Sequence, residues 1–114
     1  MEEKFKDADD KLKSAENKLE EIAGSPDVNF NEQLTLTNAL LCVKSVIKEE
    51  KSMLNVSLLK NMEESLASQY YNSDAKNETK EKLLDIIELL NEARKSMQVV
   101  IRKDAEGGVR VRIV

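Results

Sequence analysis

Apolar residues recur at spacings of three and four along most of this chain, and the period changes only in its last sixteen residues. Phe5, Ala8, Leu12, Ala15, Leu19 and Ile22 alternate those spacings, with Lys, Glu, Asp and Asn between them. Side chains three and four apart share one face of an α-helix, so residues 2–23 are expected to form a helix with a narrow apolar seam. Two of the six seam positions are Ala. Such a seam buries little area per turn, and the helix needs neighbours to persist. Gly24-Ser25-Pro26-Asp27 should end it, glycine by a left-handed cap and proline because it cannot continue a helix.

The chain is expected to restart near Asn29 or Asn31, and Asn29 with Glu32 three residues on resembles a capping box. A long helical series follows: Leu36, Leu40, Val43, Ile47, Leu54, Leu58, Met62, Leu66 and Tyr70, with no Gly or Pro. Its weak point is Lys48-Glu49-Glu50-Lys51-Ser52, after which the spacing shifts. One continuous helix of roughly 40 residues would be about 60 Å long. A break near residues 50–54 would instead give two helices. With no turn residue in the stretch, continuity is the preferred reading. Asn72-Ser73-Asp74 reads as a turn and cap, and Glu78 and Glu81 suit the start of a further helix. That segment holds the densest apolar run, Leu83, Leu84, Ile86, Ile87, Leu89, Leu90, Ala93 and Met97. Too many positions are apolar for one narrow face, so it is expected to be the central helix, with neighbours on two sides.

In Val99–Val114 two β-branched runs flank Asp104-Ala105-Glu106-Gly107-Gly108. Paired as antiparallel strands with Lys103 opposite Val109, they would put Val99, Ile101, Val111 and Ile113 on one face and Arg102, Arg110 and Arg112 on the other. The competing reading keeps Val100 and Ile101 in the preceding helix and leaves a lone strand or flexible tail after the glycines. Together these elements define a mainly α, single-domain antiparallel helical bundle over residues 1–114. It has three long helices, or four if the second breaks near 50–54, with a C-terminal hairpin, strand or tail over 99–114.

Composition agrees with this class: 35% of residues are charged, 4% are aromatic, and Leu, Ile and Val recur throughout. A net charge of −4 argues against non-specific nucleic-acid binding by the protein as a whole. The charge is uneven. Residues 1–32 carry ten acids against five Lys, and residues 94–114 carry six Lys or Arg against two acids. A single cysteine, Cys42, allows no internal disulfide, and no apolar run is long enough to span a bilayer. No signal-peptide layout is present, so the expected location is the cytoplasm.

Catalytic signals are sparse. Without histidine there is no Ser-His or Cys-His arrangement and no His-ligated metal site, and no Gly-rich phosphate loop is present. Asp85 and Glu88 could share a metal on a helix face, but their spacing is equally that of a solvated face, and Cys42 reads as a small core residue. The expectation is a non-enzyme without metal or cofactor. It would be a protein–protein interaction module (adaptor, chaperone-like factor or inhibitor) that self-associates, a dimer being favoured, through a seam formed by Phe5, Leu12, Leu19 and Ile22 with Val109, Val111 and Ile113. The alternative is capture of an anionic ligand, a nucleotide or nucleic-acid backbone, by Arg94, Lys95, Arg102, Lys103, Arg110 and Arg112, since guanidinium groups favour bidentate contact with phosphate.

Overall fold

The computed structural model describes residues 3–26, 28–73 and 77–113, with side chains between residues 4 and 104. After a 3₁₀ turn at Glu3–Phe5, four helices follow: α1 (Lys6–Ala23), α2 (Phe30–Lys48), α3 (Met53–Asn72) and α4 (Asn77–Ile113). Each packs on its neighbour in sequence, and α4 closes the ring against α1, while among the described residues the backbones of the diagonal pairs α1/α3 and α2/α4 make no close approach. This is an up-and-down bundle in which short connections set neighbouring helices antiparallel. Among the described residues no strand occurs.

The α1 seam folds as its spacing implies: Phe5, Ala8, Leu12, Ala15, Leu19 and Ile22 are all buried. From α4, Leu83, Ile86, Leu90, Ala93 and Met97 complete the core against it, and α4 packs on both α1 and α3. Gly24 closes α1 with φ −92° and ψ 3°, so no left-handed cap forms. The end is held instead by Ser25 N–H donating to the Ile22 carbonyl at 3.0 Å. At Asn29 the capping box is present, with Asn29 N–H donating to Glu32 Oε1 at 3.0 Å and Glu32 N–H to Asn29 Oδ1 at 2.8 Å.

Two expectations are corrected here. The long second helix is not continuous: α2 ends at Lys48, Glu49 turns extended, and α3 starts from Ser52. Side chains make the break without a turn residue. Asn55 Oδ1 accepts from Ser52 N–H at 2.8 Å, and Asn55 Nδ2 donates to Glu49 Oε1 at 3.4 Å. Lys51, only 3% exposed in its side chain, reaches back to the Ile47 carbonyl at 3.1 Å and pairs with Asp9 of α1 at 2.9 Å. The break also resets the helical phase. Val56, Leu59, Glu63 and Leu66 turn inward on α3, whereas Leu54 and Leu58 of the expected series face solvent.

The second correction concerns the C-terminal segment, which forms no hairpin: Val99–Lys103 belong to α4, whose backbone stays helical past Gly107-Gly108 to Ile113. Val100 and Ile101 pack half-buried against the core, continuing the inward row of α4. Tertiary packing there outweighs the β preference of the residues. At 37 residues α4 is about 55 Å long, which accounts for the 59 Å long axis of the molecule. Asp74 of the expected turn, and Val114 of the expected hairpin, lie outside the described residues.

Candidate functional site

The basic residues singled out in the sequence do not form one cluster. Arg94 is committed inside the bundle, its Nε donating to Glu63 Oε2 at 2.6 Å and its Nη2 to Glu63 Oε1 at 3.3 Å. Asn91 Nδ2 donates to the same Oε1 at 3.0 Å, and Arg94 Nη1 donates to Gln98 Oε1 at 3.3 Å. The two charged side chains are only 15% and 11% exposed. Glu63 holds the guanidinium's basicity above its ordinary value, chiefly by accepting its hydrogen bonds. A bidentate pair of this kind ties α3 to α4 and leaves Arg94 unavailable to a ligand. Lys95, Arg102 and Lys103 are exposed along α4. The side chains of Arg110 and Arg112 lie outside the described ones.

Phe5, Leu12, Leu19 and Ile22 are buried in the chain's own core. They are not surface groups in this fold, because α2 and α4 already cover α1. The side chains of Val109, Val111 and Ile113, the other half of the expected interface, are not among those described.

The surface that the sequence reading missed is the outer face of α2 and α3. Of the nine large apolar residues left exposed among the described ones, Phe30, Leu34, Leu41, Met53, Leu54, Leu58 and Tyr71 belong to these two helices, and only Leu84 and Val99 to α4. Phe30 and Leu54 are each 71% exposed and Leu41 is 59%. At 100° per residue, Phe30, Leu34 and Leu41 fall within about 40° of one another and make one ridge along α2. Beside it runs a groove of about 610 Å³ between α2 and α3, lined by Thr35, Asn38, Asn61, Met62, Glu64, Ser65 and Ser68. A smaller hollow of about 300 Å³ shares Thr35, Ser65 and Ser68 and extends it toward Asn29 and Asn72. Leu58 and Leu54 continue the α3 row of Asn61 and Ser65 by one and two turns.

The sequence did hold a signal for this face. Only three of the 19 residues of α2 and three of the 20 of α3 are charged. Apolar residues spread around both helices, which a helix packed on the core along one stripe does not require. Chemically the face can bury apolar area and exchange hydrogen bonds with hydroxyl and amide groups. It holds no cluster of acid–base or nucleophilic side chains. Asp85 and Glu88 are exposed on α4, away from it. Among the described residues no group of three or more Cys, Asp or Glu could hold a metal ion, and no helix is long and apolar enough to cross a membrane. Compared with known proteins, the chain matches no family model, no curated protein and no solved structure.

Proposed function

We propose that the protein is a non-catalytic protein–protein interaction module, an adaptor, chaperone-like factor or inhibitor of the cytoplasm, that works through the α2–α3 face and through self-association. The observation that carries this reading is the concentration of exposed apolar side chains on two helices that carry few charges. Apolar residues scattered singly over a surface need no explanation, whereas their concentration on one face beside a groove points to a contact surface. The hydroxyl and amide side chains lining most of the groove, with Glu64 among them, offer hydrogen-bond partners to a helix laid in it.

The test is site-specific photo-crosslinking in cells. A photoreactive residue in place of Leu41 is expected to give discrete adducts heavier than the chain, and one in place of Lys13, exposed on α1, is expected to give none above background. Equal labelling from both positions would count against the reading. Capture of an anionic ligand has less support. Arg94 is already paired with Glu63, and Lys95, Arg102 and Lys103 are exposed along α4.

A further inference from the structure

Resting on that reading of the α2–α3 face, we infer that its first occupant is a second copy of this chain, bound face to face about a two-fold axis. The face carries both halves of a contact: the α2 ridge of Phe30, Leu34 and Leu41, and beside it the groove lined by Thr35, Asn38, Ser65 and Ser68. A two-fold axis brings the ridge of one copy over the groove of the other and repeats the same contact in reverse, which is the requirement of an isologous interface. A different partner would have to supply its own ridge and groove in matching positions. Here one surface supplies both.

Charge selects the same face. A two-fold contact desolvates every charge it covers, and a covered charge without an opposite partner is costly. On α1, ten of 18 residues are charged, so copies meeting there would have many charges to desolvate. On α2 and α3 the charged residues are Glu32, Lys44, Lys48, Lys60, Glu63 and Glu64. Of these, Glu63 is buried against Arg94, and Lys44 turns toward Glu16 and Glu20 of α1 at 3.8 and 3.4 Å, which leaves Glu64 in the groove and Glu32 in the hollow beside it as the carboxylates the contact meets. Size is adequate as well. Two helices about 30 Å long side by side present a face about 20 Å wide, roughly 600 Å² per copy and about 1,200 Å² for the pair. That is the lower end of specific interfaces, so the dimer should be reversible and concentration-dependent.

Analytical ultracentrifugation of the full chain, from low micromolar to several hundred micromolar, tests this. The wild type is expected to move from 12.9 kDa toward twice that mass. The double variant Leu34→Glu/Leu41→Glu should stay at the monomer mass throughout, with its circular dichroism and thermal melt in the dilute regime unchanged. Leu84→Glu, on the exposed side of α4, should dimerise like the wild type. A wild type that stays monomeric at every concentration overturns the inference, as does a double variant that still dimerises or a Leu84→Glu variant that does not. The crosslinks from position 41 separate this failure from that of the broader reading. A monomeric wild type with adducts to other proteins loses the second copy and keeps the interaction module, while a monomer with no adducts loses both.

Discussion

On α1, ten of 18 residues are charged and one unbroken apolar seam faces inward; on α2 and α3 together, six of 39 are charged and leucines stand on both sides of each helix. The ties between helices follow the same division. Lys11–Glu92, Lys82–Glu21 and Lys4–Asp104 join α1 and its preceding turn to α4. Lys44 joins α2 to α1, Lys51 joins the α2–α3 connection to α1, and Arg94 joins α4 to α3. Among the described residues no ion pair joins α2 to α3. One half of the bundle thus acts as a base with a solvated outer surface. The other is a hairpin clamped to that base at its flanks, with its own outer face left apolar and hydrogen-bonding. A surface kept poor in charge and rich in exposed Leu raises the risk of aggregation, and its place opposite the charged half is what makes a contact role the better explanation.

The clamp at Glu63 is where this comparison can be broken most forcefully. Arg94→Ala would leave a carboxylate only 11% exposed with Asn91 as its remaining partner, a loss expected at about 3 kcal/mol because the charge stays desolvated without its counterion. Replacing both, as Glu63→Leu with Arg94→Met, should recover most of that loss, since apolar groups of similar volume need no counterion. Urea denaturation with unchanged slope reads both numbers. If the single variant costs no more than an exposed surface substitution, the pair is not holding α3 against α4, and the picture of a clamped hairpin fails.

Much of the base was legible in the sequence, and much of the hairpin was not. In α1 the first five of the six seam residues are each followed directly by a charged one, so period and phase are both fixed, and the six seam residues are the six that bury. For α4 the row from Leu83 to Met97 was equally plain. Past it β-branched residues suggested a hairpin, and the competing placement of Val100 and Ile101 in the helix is the one that holds, because they have a core to pack on. On α3 two rows compete, Leu54-Leu58-Met62 and Val56-Leu59-Glu63-Leu66. The true inward row contains a carboxylate, which pattern reading rejects until its partner Arg94, 31 residues away, is in view. The break before α3 was hidden for a related reason: it is made by Asn55, Glu49 and Lys51 hydrogen bonds, with no Gly or Pro to announce it. The candidate face was legible only as a scarcity of charge.

That break offers the next test. Asn55 is buried and serves two partners, accepting from Ser52 N–H and donating to Glu49. Asn55→Ala should cost about 1–2 kcal/mol, the loss of a helix cap together with a buried polar contact. Thermal melts followed by circular dichroism would show it. A variant as stable as the wild type would mean that Lys51, through the Ile47 carbonyl and Asp9, holds the corner alone, and that the hairpin is fixed more by its tie to α1 than by its own local sequence.

The smallest effect is kinetic and probes how closed the hairpin side is. Cys42 sits half-buried on the flank of α2, and burial, assisted by the nearby Glu49 carboxylate, pushes its thiol above the ordinary range. Only the thiolate is alkylated, so at pH 8.5, where about half of an unperturbed cysteine is ionised, the folded protein should react with iodoacetamide several-fold more slowly than the same chain in urea. The pH midpoint of the reaction should also lie higher. Linkage gives the matching sign for stability. The unfolded chain ionises this group first, so stability falls as pH rises from about 8.5 until the folded thiol ionises as well. Replacing Cys42 with Ser should remove that component of the alkaline loss. A folded-state rate equal to that in urea would show the flank of α2 open to solvent on the timescale of the reaction, making the α2–α3 half a mobile lid on the α1–α4 base and not a preformed surface.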